Sequence, residues 1–99
     1  MMTVVTRVRL RPGQEEAWDA AFRRRIASVR DQPGWIAVQL GSPVEDGGER
    51  VVIGTWERRE DWEAWHHSPG FQETREALEG AEAGGHSETW HEIVLDDHR

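Results

Sequence analysis

The stretch TWERREDWEAWHHSPGF, from Thr55 to Phe71, holds the side chains of this chain that are best suited to chemistry. Two of them are adjacent histidines, His66 and His67. Histidine titrates near neutral pH, so it can serve as a general base or as a metal ligand. Adjacent side chains on a helix point about 100° apart, so two neighbouring histidines do not suit one metal ion. We therefore predict no metal site here and keep His66 as a candidate base.

The aromatic residues of this stretch have the spacing of one helix face. Trp62, Trp65 and His66 lie at positions i, i+3 and i+4, which are neighbours on a helix surface. A face of this kind ordinarily packs against a core. We interpret most of it as packing, with Trp65 as the aromatic wall of a pocket and with Trp62 and Phe71 beside it.

Arg75 continues the same face, four residues after Phe71. Two interpretations of this arginine stand. Its guanidinium can bind a carboxylate or a phenolate through two parallel hydrogen bonds. Alternatively, it forms a surface ion pair with Glu79, which follows four residues further along the same helix.

The elements that position these residues follow from the hydrophobic pattern. Alternation of apolar and polar residues predicts four strands, over residues 4–10, 35–41, 50–56 and 88–95. A spacing of three and four predicts helices over residues 14–30, 58–67 and 69–78, the last with Ser68 as its N-cap. The order β-α-β-β-α-β favours a ferredoxin-like α+β sandwich, in which helices cover one face of a four-stranded antiparallel sheet. We expect one domain over residues 1–99.

The first and last strands are antiparallel neighbours in that fold. We expect their apolar residues to face the helices: Val4, Val8, Leu10, Ile93 and Leu95. Thr6 and His91 are then polar exceptions on the helix-facing side. They are either core residues that bond within the protein, or they line a pocket between the second helix and the sheet. In the second case His91 or His66 is the general base.

The open face of the predicted sheet carries Trp35 and Trp90, together with Val5, Ala37 and Val94. Scattered apolar residues are common on protein surfaces. Tryptophans, however, bury a large apolar area when they find a partner. We therefore predict that two copies of the chain meet through this open sheet face in a homodimer.

Composition narrows the class of protein. The formal net charge is −7, which disfavours nucleic acid as a partner because phosphate contacts need a basic surface. The chain has no cysteine, which excludes disulfides and thiolate metal sites and favours a reducing compartment. No apolar run approaches the roughly 18 residues of a membrane span, and the first residues lack the apolar run of a signal peptide. We expect a cytoplasmic protein with no membrane partner.

The order and spacing of several motifs resemble the antibiotic biosynthesis monooxygenase (ABM) domain family. The motifs are Pro33-Gly34-Trp35, Thr55-Trp56-Glu57, and Trp62-x-x-Trp65-x-x-Ser68-x-x-Phe71. The resemblance extends from about Thr3 to Leu95. It implies a ferredoxin-like homodimer whose two sheets form a shared α/β barrel, and a pocket between the second helix and the sheet of each subunit.

Within that family, the motifs of this chain resemble those of the haem-degrading branch most. That branch uses an asparagine on the first strand, a tryptophan on the second helix and a histidine ligand shortly after it. The tryptophan matches Trp65, but the asparagine position falls on Thr6 and the histidine position on Arg75. Arginine stays protonated and has no lone pair to give to iron. A substitute ligand would be one of three histidines: His66, His86 or His91.

The resemblance therefore implies a small dimeric monooxygenase that oxygenates an aromatic, polyketide-like molecule without a cofactor. Its base would be His91 or His66, and its substrate-binding residues would be Thr6, Trp65, Arg75, Trp62 and Phe71. One alternative is a haem-binding or haem-degrading monooxygenase with a substituted ligand. The other is a non-enzymatic dimeric module that binds a small molecule, with its pocket filled by aromatic side chains.

Overall fold

The computed structural model describes residues 1–99 and confirms the α+β, ferredoxin-like class. Its elements are β1 (Met2–Val8), α1 (Glu15–Val29), β2 (Trp35–Gly41), β3 (Arg50–Trp56), α2 (Arg59–His66), α3 (Pro69–Ala81) and β4 (Ser87–Glu92). The four strands pair antiparallel in the order β2-β3-β1-β4. None of the three helices combines the length and the apolar character that crossing a membrane requires.

The break between α2 and α3 is set by Ser68 and Pro69, as the sequence predicts. The Ser68 hydroxyl accepts a hydrogen bond from the backbone N–H of Phe71 at 3.4 Å, which satisfies one of the free donors at the start of α3. Pro69 occupies the first turn, where its missing N–H costs no hydrogen bond. The chain therefore turns between Trp65 and Phe71, so both rings reach the same interior.

The core consists of two apolar clusters between the helices and the sheet. Val8, Trp18, Ala21, Leu78 and Ala81 form the first cluster. Val29, Trp56 and Trp65 form the second, with Trp35, Trp62 and Phe71 packed against it. Side chains of both clusters border one cavity, so the core and the candidate site share their walls.

Strand β4 turns the opposite face to the helices from the one predicted. The strand register pairs Val4 with Trp90 and Thr6 with Glu88. Val4 is buried beneath the helices, and directly paired residues lie on the same side of a sheet. Trp90 and Glu88 therefore lie on the helix-facing side, and the prediction that Trp90 occupies the open face is wrong.

The same register places His91 on the open face. His91 pairs with Thr3 and is exposed, so the prediction that His91 lies beside Thr6 on the helix-facing side is wrong, whether as a core residue or as a pocket residue. The physical reason is that β4 ends at Glu92. The apolar run 93–95, on which the predicted face rested, lies beyond the strand and says nothing about which side of the strand is buried.

Trp35 also lies on the helix side, because β2 is irregular at its start. The register shifts between Trp35 and Ala37, and the extra residue, Ile36, is 40% exposed. Trp35 pairs with the buried Trp56. A bulge inserts one residue and so exchanges the faces before and after it. The prediction of Trp35 on the open face is therefore wrong.

Without the two tryptophans, the open face carries short aliphatic and hydroxyl side chains with a few charges. Its residues, taken from the registers of the four strands, are Thr3, Val5, Arg7, Ala37, Gln39, Val51, Ile53, Thr55, Ser87, Thr89 and His91. The aliphatic members Val5, Val51 and Ile53 are only half-buried in the single chain. The face is thus less aromatic than predicted, but it keeps an apolar centre.

Candidate active site

A cavity of about 130 Å³ lies between the helices and the sheet. Most of its lining is apolar, and the aromatic part consists of Trp18, Phe22, Trp35, Trp56, Trp62, Trp65 and Phe71. An apolar cavity of roughly 150 Å³ is known to take up one benzene ring. The cavity is therefore of the size that suits a single aromatic ring, and its aromatic side chains line the space rather than fill it.

Five of the seven residues predicted for the site border this cavity: Thr6, Trp62, Trp65, His66 and Phe71. The remaining two, His91 and Arg75, do not. Arg75 is exposed, and its Nε lies 3.1 Å from Glu79 Oε1. The surface ion pair was one of the two predicted interpretations of Arg75. Arg75 is exposed because the buried side of α3 consists of other residues: Thr74, Leu78 and Ala81. The buried side of this helix passes beside position 75.

His66 has a defined proton arrangement. Its Nδ1 lies 2.8 Å from the carbonyl oxygen of Trp62, and a carbonyl can only accept a hydrogen bond. Nδ1 of the neutral ring therefore carries the proton, and Nε2 keeps its lone pair. Burial lowers the pKa of His66, while the hydrogen bond to Trp62 opposes that shift. At neutral pH the side chain is thus an uncharged base with one free nitrogen.

Trp65 stands next to this base and is only 8% exposed. Its ring lies 5.5 Å from that of Trp56 and 5.0 Å from that of Phe71, measured between centroids. The indole N–H is buried and meets no acceptor of the protein. A buried donor without a partner costs about 1–3 kcal/mol. Trp65 thus carries an unpaired donor in the wall of the cavity, and this N–H has no surface that a ligand touches.

Arg25 of α1 also borders the cavity, and the sequence analysis missed it. Its Nε donates to Thr74 Oγ1 at 2.9 Å, and its Nη2 donates to the Phe71 carbonyl oxygen at 3.2 Å. The guanidinium carbon lies 3.9 Å from the centroid of the Phe71 ring. Burial lowers the pKa of Arg25 to about 10, against the favourable charges of Glu82 and Glu79. Arg25 is therefore still a cation at neutral pH.

The signal for Arg25 was present in the sequence. Trp18, Phe22, Arg25 and Val29 are spaced by four, three and four residues, which is the inward face of a helix. Trp18 and Val29 are indeed buried. Hydrophobic periodicity identifies only the apolar members of this face, so it does not predict the one charged residue among them.

A cluster of three polar residues, Glu82, His86 and Glu88, lies just beyond the C-terminal end of α3. His86 Nε2 lies 2.9 Å from Glu88 Oε1, and His86 Nδ1 lies 3.9 Å from Glu82 Oε1. The other Glu82 oxygen accepts from Trp18 Nε1 at 3.1 Å. All three polar residues border the cavity. Because His86 and Glu88 are exposed, the cavity meets solvent at this side.

The family of this chain follows from comparison with known protein families. The family model described as antibiotic biosynthesis monooxygenase matches residues 1–77. This chain belongs to the ABM family. The resemblance drawn from the motifs is thereby confirmed. The comparison with curated proteins finds no match for this ABM protein.

Solved structures share the fold of this ABM protein at low identity. SnoaB, a cofactor-independent oxygenase from Streptomyces nogalater, is 22% identical, with 97% of each chain covered and a TM-score of 0.80. Rv0793 from Mycobacterium tuberculosis is 23% identical, with 97% of this chain and 96% of that chain covered and a TM-score of 0.81. A putative antibiotic biosynthesis monooxygenase from Caulobacter crescentus is 18% identical, with 95% and 90% covered and a TM-score of 0.87. Likeness at these identities establishes the fold.

Proposed function

We propose that this ABM protein is a small monooxygenase that oxygenates an electron-rich aromatic molecule without a cofactor. The observation that carries the proposal is the free Nε2 of a neutral His66 at the wall of an aromatic cavity. A base without charge tolerates an apolar cavity, and a hydroxylated ring is the kind of molecule that such a base activates. The shared fold with SnoaB, a cofactor-independent oxygenase, supports the same reaction class.

The proposed reaction begins with proton transfer from a ring hydroxyl to His66 Nε2. The resulting anion passes one electron to O₂, and the two radicals combine to a carbon–oxygen bond on the ring. The O–O bond then breaks, one oxygen atom stays as a quinone carbonyl, and the other leaves as water with the two protons that the ring has lost. A phenol and O₂ thus give a quinone and water.

Oxygen uptake in labelled ¹⁸O₂ tests this proposal. Hydroxylated aromatics of one to four rings are offered, and we expect one labelled atom in the product and one in water. His66→Gln should reduce turnover by about 10²–10⁴-fold, the usual contribution of a general base. His67→Gln is the matched control, because the neighbouring His67 is exposed. If no aromatic supports oxygen uptake, the proposal fails. If His66→Gln keeps the wild-type rate, His66 is not the base.

Haem remains the alternative cofactor, and the cavity as folded does not fit it. A space that suits one benzene ring is smaller than a macrocycle of four pyrrole rings, and Arg75, at the usual ligand position, lies on the surface. A substituted ligand would have to be a histidine of the cavity, His66 or His86. Titration with hemin checks this, since ligation by histidine gives a sharp Soret band.

We further propose that the open sheet face forms the homodimer interface. The support is the apolar centre of Val5, Val51 and Ile53, which the single chain leaves half-buried, and not the tryptophans, which lie on the other face. Light scattering at micromolar concentration should give twice the chain mass, and Ile53→Glu should lower it to the mass of one chain. A wild-type protein that is monomeric under these conditions contradicts the interface.

A further inference from the structure

The geometry points to an anion-binding subsite at Arg25, which makes the ligand of this cavity a single-ring aromatic carboxylate. The inference rests on the proposed function only in taking the cavity as the place where substrate binds. Neither the family relationship nor the predicted site residues include Arg25. It is carried by three observations: the unpaired charge of this arginine, its uncommitted N–H groups, and the distribution of carboxylates around the cavity.

The first observation is that Arg25 has no ion pair. The chain forms seven salt bridges, and none includes this residue. A half-buried guanidinium ordinarily faces a carboxylate, because removing a charge from water is costly unless it is paired. The acceptors that Arg25 does meet, Thr74 Oγ1 and the Phe71 carbonyl, are both neutral. The charge is therefore held in place without being neutralised.

The second observation is that most of the donors of Arg25 are still available. A guanidinium has five N–H groups, and Thr74 and Phe71 take one each. Three remain. Packing against the Phe71 ring at 3.9 Å fixes the plane of the group, so that little freedom is lost when a planar partner binds. A carboxylate matches such a fork with two parallel hydrogen bonds.

The third observation is that the carboxylates of the cavity are engaged elsewhere. Glu82 accepts from Trp18 and lies near His86, and Glu88 is paired with His86. These groups lie beyond the end of α3, whereas Arg25 contacts the first turns of that helix. Glu82 favours the charged form of Arg25 without forming an ion pair with it, so the free N–H groups of this guanidinium are left for the carboxylate of a ligand.

Binding of benzoate and benzamide to the intact protein tests the subsite. The two probes share ring and shape, but only benzoate is charged at neutral pH. Calorimetry should show that benzoate binds about tenfold or more tightly than benzamide, as expected for charge-assisted hydrogen bonds. Arg25→Gln should remove this preference and Arg25→Lys should keep part of it. Arg75→Gln is the matched control, because that arginine is exposed and paired with Glu79.

Equal binding of the two probes by the wild-type protein overturns the inference, and this comparison needs no variant to fold. A preference for benzoate that survives in Arg25→Gln, in a variant with wild-type circular dichroism, overturns it as well. Oxygen uptake on neutral phenols without a preference for benzoate leaves the proposed function standing and removes the subsite. A preference for benzoate that Arg25→Gln abolishes, without any oxygen uptake, supports the subsite and removes the oxygenase.

Discussion

His66 and His86 border the same cavity, yet the chain surrounds them in opposite ways. His66, at the end of α2, is half-buried among aromatic rings and bonded to a backbone carbonyl. His86, before β4, is exposed and faces two carboxylates. The difference teaches that the residue type alone does not assign a proton-transfer role. A buried ring with one committed nitrogen is a fixed base, whereas an exposed ring between two carboxylates has both of its nitrogens near acceptors.

The largest expected effect separates the two histidines in turnover. Because only His66 is proposed to take the substrate proton, His66→Gln should lower kcat by about 10²–10⁴-fold. His86→Gln should change it by less than about tenfold. Steady-state oxygen consumption with one hydroxylated aromatic measures both variants. Equal losses of kcat in the two variants would contradict this distinction, because they would mean that the exposed pair of His86 and Glu88 takes part in the proton transfer.

The two regions should also differ in their contribution to stability. Trp65→Ala empties space in the second core cluster, where the ring is 8% exposed and packs on Trp56 and Phe71. We expect a loss of about 3–5 kcal/mol in the free energy of unfolding. Trp90→Ala on β4 should cost less, because that ring is only half-buried. Urea unfolding followed by circular dichroism compares them, and a larger loss for Trp90→Ala would contradict the assignment of the core to the α2 side.

Two glycines with positive φ extend the comparison of packed and open regions to the backbone. Gly34 (φ +82°) and Gly13 (φ +79°) both lie in the left-handed region, but a Cβ on Gly34 would overlap the carboxylate of Asp61 in α2, whereas Gly13 faces open space. Alanine at φ > 0 costs about 1–2 kcal/mol. Gly34→Ala should cost about 1–3 kcal/mol more than Gly13→Ala, because an overlap is added to the backbone strain. Thermal unfolding in parallel samples measures the difference, and equal losses would mean that Asp61 moves aside freely.

The smallest expected effect is a pH dependence of stability. Burial lowers the pKa of His66 from its ordinary 6.5, so the unfolded chain binds a proton at His66 more readily than the folded protein. The stability contribution is complete above pH 6.5 and is lost as the pH falls below that value through the folded pKa. The melting temperature of the wild type should therefore fall more than that of His66→Gln between pH 7 and pH 5. Parallel curves would contradict the lowered pKa.

The sequence predicted those parts of the fold whose pattern lies within one element. The break at Ser68 and Pro69 follows from local chemistry, and the spacing of Trp62, Trp65 and His66 needs no information from the rest of the chain. This explains why the α2 side of the cavity was predicted from the sequence. Period and capping are properties of consecutive residues, so a single chain segment is sufficient to read them.

The other side of the cavity depends on pairing between distant segments. The face of β4 is decided by its register with β1, and the apolar run 93–95 lies outside the strand that it seemed to define. Arg25 was missed for a different reason, because a charge on the inward face of α1 contradicts the usual distribution of polar residues. Such an exception becomes visible only when Thr74 and Phe71 of α3 are brought beside it.

The irregular start of β2 has a consequence for how the substrate range of such a fold changes. Trp35 reaches the cavity because one extra residue, Ile36, precedes the regular pairing. Removal of that residue would leave the indole on the helix side, because Trp35 would then directly precede Ala37 and would still pair with Trp56. A regular pairing that kept Ile36 would instead place Ile36 opposite Trp56 and the indole on the outer side, so the bulge decides which of the two side chains borders the substrate.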